Sequence, residues 1–208
     1  MIKYISIVFV VIAVIAALTS VIISVVLPSV VSSVDQPSII PNSVGIVPLI
    51  PKYDRSAFGN WKMVRGKCDT SEIVRERDSG LTKADLDGDG CFDDGTFIDP
   101  YTDILTSARG AHADHVFPVS EAWRQGAWMW SRVDRVKFAN DMDNLLLTDS
   151  RVNIVKSDKL PSKWRPVSLT GQCKYARIFR ATAVRYHFVV RTADDNDLRK
   201  MESLCEVR

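Results

Sequence analysis

From Tyr4 to Val34 the chain carries no charged residue, and Ile5 to Leu27 is almost wholly Ile, Val, Ala, Leu and Phe. A run of that length meets the roughly 20 apolar residues that a bilayer-spanning helix needs, and exceeds the roughly 7 to 15 of a cleavable signal's apolar core. No polar face interrupts it, which argues against a buried core helix. Residues 1–27 therefore read as a transmembrane signal-anchor. A cleaved signal peptide, giving a secreted protein, is the alternative, and Leu18 and Thr19 spoil the small-residue site that Ala16, Ala17 and Ser20 would offer. Lys3 precedes the run and no basic residue follows until Lys52. The positive-inside rule then places the N-terminus in the cytoplasm and the rest of the chain outside it. Residues 28–52 hold prolines at 28, 37, 41, 48 and 51, which exclude a continuous helix and favour an extended Pro/Ser/Val-rich linker. Folding is thus left to residues 53–208, enough for one domain.

The net charge of +2 hides an asymmetry. Val116 to Arg191 holds fourteen Lys and Arg against six Asp and Glu, whereas Ala84 to Asp103 holds seven Asp and no basic residue. A basic half suits a polyanionic partner, although basic faces are often only solvated. Within the acidic stretch Asp85, Asp87 and Asp89 with Gly90 reproduce the first half of a calcium-binding loop, D-x-D-x-D-G, whose alternate oxygens can converge on Ca2+. The twelfth loop position is Thr96, where a bidentate Glu is expected, and TFID reads as a strand. These aspartates are candidate calcium ligands, with an acidic turn as the competing reading.

Four cysteines, 68, 91, 173 and 205, include no C-x-x-C pair, which disfavours zinc. They allow three pairings. An extracytoplasmic domain can oxidise them, and locality in sequence favours Cys68 with Cys91 and Cys173 with Cys205.

Along the domain, Asp69 or Thr70 is placed to cap a helix running toward Arg75 and Arg77. Ala111–Val119 reads as a strand ending at Pro118, followed by a helix capped by Ser120 over EAWRQGAW. WSRVDRVKFAND is helical in period, NLLLTD is a short apolar strand, and Ser150 is a candidate cap for SRVNIVKSDK. Thr192–Arg208 is expected as a C-terminal capping helix. Trp123, Trp128, Trp130 and Trp164 suit core packing better than base stacking. His187 reads as structural.

Two of the three histidines, His112 and His115, lie within HADHVFPVSEAW. An imidazole with an ordinary pKa of about 6.5 can take a proton near neutral pH. Asp114 and Asn153 offer oxygen donors from a strand and a following helix, suited to a hard divalent cation.

The words YDRSAFGNW, GTFIDPYTD, ADHVFPVSEAWRQGA, RVKFANDMDNLLLTDSRVNIVKSDKLPSKWRP and CKYARI occur in this order through nearly all of residues 53–208. In this the chain resembles the HNH endonuclease family, within the group related to the C-terminal domain of GmrSD-type restriction enzymes (the DUF1524-like nucleases). The resemblance implies an α+β domain with a ββα-metal (His-Me finger) core, and metal-dependent hydrolysis of DNA, or RNA, leaving a 5′-phosphate. It implies His115 as general base, Asp114 and Asn153 as ligands of Mg2+ (Mn2+ as the alternative), and Asn144 as a brace for the loop backbone. His112, of the same strand parity as Asp114, is an additional candidate ligand. Lys156, three residues after Asn153, shares its helical face and is expected to meet a phosphate. No small-molecule organic cofactor is implied; the partners are nucleic acid and, through the N-terminal helix, a membrane. Ser71, Phe97 and Phe117 depart from the residues usual in the family. The alternative from another class is a non-catalytic, calcium-stabilised envelope binding module.

Overall fold

The computed structural model describes residues 49–79 and 88–206. The apolar segment 1–27, most of the linker, Asp85 and Asp87 lie outside the described residues.

The helix after Cys68 begins where its cap chemistry requires. Asp69 Oδ1 accepts from the backbone N–H groups of Ser71 and Glu72, and Glu72 reaches back to the N–H of Asp69. This reciprocal box satisfies donors that the first helical turn leaves unpaired. Ser71 adds its hydroxyl to the same Asp69 oxygen. The resulting helix α1 (Thr70–Asp78) follows a hairpin of β1 (Met63–Arg65) and β2 (Cys68–Asp69). A second hairpin pairs β3 (Thr96–Ile98) with β4 (Leu105–Ser107). A third antiparallel pair joins β5 (His112–His115) to β6 (Leu145–Thr148) across an excursion of α2 (Val119–Arg124) and α3 (Arg132–Ala139). The helices α4 (Ser150–Lys156), α5 (Leu169–Arg185) and α6 (Thr192–Ser203) complete a mixed α/β arrangement of small sheets and helices.

Several boundaries differ from expectation for local reasons. The strand expected over 111–119 stops at His115, because Phe117 pairs its backbone with the side chain of Asn144. Ser120 is not a cap: Pro118 precedes the helix and the Ser120 hydroxyl donates to Asp158. The helix expected over EAWRQGAW breaks at Gly126, whose φ of 109° belongs to the left-handed side of the map. Asp149 caps α4 in place of Ser150, accepting from the N–H of Arg151.

Two hydrophobic clusters are buried. The larger gathers Phe58, Tyr101, Phe117, Phe138, Tyr175 and Phe179 with Leu146 and Leu198, and Trp123 is buried within it while Trp128, Trp130 and Trp164 pack against it. The tryptophans are thus core, as their spacing implied. The smaller cluster includes Val74, Phe97, Leu145 and Leu147. Strand β6 lies between the two: alternation along the pleat sends Leu146 to one and Leu145 and Leu147 to the other. A strand covered on both faces needs the unbroken apolar run LLL. Helix α5 approaches the turn between β3 and β4 so closely that a Cβ at Gly171 would lie 1.8 Å from the Pro100 carbonyl oxygen.

Disulfides join Cys68 to Cys91 and Cys173 to Cys205, closing loops with sequence separations of 23 and 32. Loop-closure entropy assigns each about 3 to 4 kcal/mol. Reduction should therefore lower the unfolding free energy in urea by several kcal/mol. A change below about 1 kcal/mol would show that these loops are ordered by other contacts.

Candidate active site

The register of the third sheet decides what its residues face. His112 pairs with Thr148, Ala113 with Leu147, Asp114 with Leu146 and His115 with Leu145. Residues directly opposite share a face, so Asp114 turns toward the larger core and His115 toward the smaller one. The two adjacent residues of the Asp-His pair are thereby sent into different surroundings.

His115 stacks on Trp61, with ring centroids 5.4 Å apart and planes 10° from parallel. Its Nε2 lies 2.8 Å from the Ala139 carbonyl oxygen. A carbonyl only accepts, so Nε2 carries the proton and Nδ1 keeps its lone pair. Burial pushes the imidazole down to about 4, against the opposing pull of the Ala139 carbonyl and of Asp114. At neutral pH the ring is neutral and its tautomer is set.

Asp114 is 4 % exposed. Its Oδ2 accepts from the Tyr101 hydroxyl at 2.6 Å, and its Oδ1 accepts from Lys156 Nζ at 2.9 Å. The same ammonium donates to the His115 carbonyl at 2.9 Å. Lys156 is fully buried, so the expected contact with phosphate is not what the fold makes of it: the ammonium is spent on a carboxylate and a backbone carbonyl. Burial, with Asp114 beside it, holds the Tyr101 phenol well above its ordinary range, so it remains a donor. Asp114 likewise departs from the expectation of an open metal ligand, since both oxygens are occupied by protein donors.

Asn144 ends a 3-10 turn and is fully buried. Its Oδ1 accepts from the Phe117 N–H at 2.8 Å, and its Nδ2 donates to the Phe117 carbonyl at 3.0 Å. Thr182 of α5 adds a longer contact to the same oxygen. One side chain thus clamps the loop that leaves β5. Asn144→Ala strands both Phe117 backbone groups in a dry site and should cost about 2 to 4 kcal/mol in urea denaturation. A loss under about 1 kcal/mol would mean that the loop holds itself.

On the other end of the strand, Asn153 Nδ2 lies 3.3 Å from His112 Nδ1. His112 is exposed and Asn153 half-buried. Asn153 also lines, with Asp114, His115, Ser120, Ser157 and Asp158, a cleft of about 260 Å3. Asp114, His115 and Asn153 therefore line one cleft, with Lys156 beneath Asp114, while His112 stands beside Asn153.

Elsewhere, Asp89 Oδ1 accepts from the Cys91 N–H. Glu72, Asp89 and Cys91 stand close together, but the Cys91 sulfur is bonded to Cys68 and is no thiolate. His187 follows α5 at a φ of 58°, and no chemistry gathers around it among the described residues.

Three contributors were not foreseen as functional. Trp61 closes YDRSAFGNW, a stretch that carries the family resemblance but offers no motif that marks a role for the ring. Ala139 acts through its carbonyl, which no side-chain pattern reveals. Tyr101 belongs to GTFIDPYTD, a stretch that carries the family resemblance without naming a role for it.

Residues 84–180, from the acidic loop through the first part of α5, match the C-terminal domain of GmrSD restriction endonucleases. A secreted protein of Arthroderma benhamiae, otherwise uncharacterised, is 33 % identical over 156 residues, spanning 74 % of this chain and 76 % of its own. No solved structure matches. The match marks a nuclease-related family. The chain belongs to the family of GmrSD restriction endonuclease C-terminal domains.

Proposed function

We propose that the domain is an ion-dependent endonuclease of the HNH type that hydrolyses phosphodiester bonds of DNA, and of RNA as a second substrate, with β5, β6 and α4 acting as a ββα-metal finger. The observation that carries the reading is His115: a neutral imidazole, its Nε2–H held by the Ala139 carbonyl, lining the same cleft as Asn153 in a chain of a nuclease family. Phosphodiester hydrolysis needs a proton removed from the attacking water. His115 Nδ1 takes that proton, the water oxygen bonds to phosphorus, and the bond to the departing 3′ oxygen breaks, leaving a 5′-phosphate. Trp61 and Ala139 hold the ring in place for this. Asn144 keeps the loop after β5 in register with it, through Phe117.

A divalent ion at this site would offset the charge that develops on the phosphoryl and leaving oxygens. The donor set fits an ion in part. Asn153 lines the cleft, whereas Asp114 is closed by Tyr101 and Lys156.

The domain works outside the cytoplasm in this reading. Two disulfides, persistent only in an oxidising compartment, and the secreted relative support it. No helix among the described residues is long and apolar enough to cross a membrane, and the apolar run at Tyr4–Val34 lies outside them. The calcium-stabilised binding module rests on Asp85, Asp87 and Asp89, and no observation favours it over hydrolysis.

The test is cleavage of plasmid and single-stranded DNA by the disulfide-intact chain with Mg2+, with Mn2+ or with EDTA. Nicking and linearisation that disappear in EDTA are expected. A folded protein that cleaves neither DNA nor RNA with any ion overturns the reading.

A further inference from the structure

We propose that the hollow between the turn 160–165 and α6 is a subsite for one unpaired nucleotide, with its phosphate on Lys163 and Arg165 and its base on Trp164, so that the domain takes nucleic acid in single-stranded form. The inference rests on the nuclease reading for the class of ligand, and its readout is binding without cleavage.

The turn is built onto the end of α4. The Lys159 N–H donates to the Lys156 carbonyl, and the N–H groups of Lys163 and Trp164 both donate to the Leu160 carbonyl. The Ser162 N–H donates to Oδ1 of Asp194, a buried residue of α6. Trp164 is half-buried and stands edge-on to Tyr101 and Tyr175, with ring centroids 5.0 and 5.6 Å away. Tyr101 is the same residue that donates to Asp114. The turn is thereby fixed in place, continuous with the helix that carries Asn153 and braced on the tyrosine behind the cleft.

Pro161, Ser162, Lys163, Trp164, Arg165 and Asp197 line a hollow of about 360 Å3, a size within the range of small-ligand sites. Its lining has the chemistry that a nucleotide needs. Elsewhere in the basic half of the chain Arg124, Arg180, Arg185 and Arg191 are bound to carboxylates. Lys163 and Arg165 are exposed and form no ion pair among the described residues. The carboxylate of the lining, Asp197, is itself bonded to Lys200 at 2.9 Å, so the hollow keeps a positive surplus. Two free cations suit a phosphate. An acidic peptide would satisfy them as well, but it makes no use of the indole, whereas every base has a π-face that stacks on one. In a duplex that face is covered by the neighbouring bases, and only an unpaired nucleotide presents it.

The experiment is fluorescence anisotropy of a labelled oligothymidylate with the full, disulfide-intact chain in EDTA, over a range of salt concentrations. Wild type and Lys163→Gln/Arg165→Gln are compared with Lys67→Gln/Arg132→Gln, which removes two exposed cations elsewhere, and circular dichroism checks folding. Expected is affinity at least about tenfold weaker in Lys163→Gln/Arg165→Gln, with a salt slope shallower by about 1.4, at about 0.7 per phosphate contact, and a control within about threefold of wild type. The loss should be smaller for a duplex. Irradiation of the complex with bromouracil in place of thymine should attach the strand to the peptide that holds Trp164. Unchanged affinity in Lys163→Gln/Arg165→Gln, an equal loss in the control, crosslinks only elsewhere, or no binding by the wild type at low salt overturns the proposal. If ion-dependent cleavage persists in those cases, the nuclease reading stands and only the subsite falls. Binding and crosslinking as expected, without cleavage with any ion, is the reverse result.

Discussion

Replacing His115 by alanine lowers the rate of nucleic-acid cleavage by about two to four orders of magnitude, the range that a positioned general base contributes. The prediction follows from the fixed tautomer: Nε2 is committed to Ala139, which leaves Nδ1 as the ring's only basic atom. His115→Ala keeps the Asp114–Lys156 pair and the Asn144 clamp, because neither uses the imidazole. Single-turnover cleavage of a plasmid, with folding checked by circular dichroism, measures the effect. A rate within about threefold of wild type would remove His115 from the chemistry. The same residue has a signature in stability. An unfolded histidine titrates at about 6.5, whereas the folded His115 titrates at about 4. As pH falls, the unfolded chain takes up this proton first. The contribution to stability is therefore complete above about pH 6.5 and is lost as pH falls toward the folded value, up to about 3 kcal/mol in all. In EDTA, urea denaturation across that window should show a steeper decline for wild type than for His115→Ala.

The second large effect is on folding. Lys156→Met leaves Asp114, 4 % exposed, without its cation, and should destabilise the domain by about 3 to 5 kcal/mol. The size follows from asymmetry: a buried ion pair is worth little against an apolar pair, but half of one leaves an uncompensated charge. Pairing Lys156→Met with Asp114→Leu should recover part of the loss, even though the Tyr101 hydroxyl then lacks its acceptor. Urea denaturation of the two variants measures both terms. If Lys156→Met costs less than about 1 kcal/mol, the ammonium is not the partner on which Asp114 depends. Because Lys156 also holds the His115 carbonyl, its loss should loosen the end of β5 that presents the imidazole.

Much of the site was written in local sequence. The apolar LLL run identified β6, the helical period identified α3, and the spacing of Asn153 and Lys156 placed both on one stripe of α4. The pairing of cysteines nearest in sequence is the one formed. Asn144 braces the loop backbone at Phe117 from 27 residues away. Periodicity says which residues share a face, but not how deeply each is set. Asn153 meets His112 at the solvent end of β5, whereas Lys156, one turn on, meets Asp114 two residues further into the core. That difference turned an expected phosphate contact into a buried ion pair.

Sequence by itself determined β5, β6, the helices α1, α3, α4 and α6, and the family, because these depend on residues close together or on motifs read in order. Only the tertiary structure decided the partners of the key groups. Trp61 beneath His115, Tyr101 on Asp114 and the Ala139 carbonyl on Nε2 all come from other segments, brought in by the packing of β6 between two cores. A backbone carbonyl and a stacking ring carry no sequence signature of their role, since what they do is a matter of distance and direction.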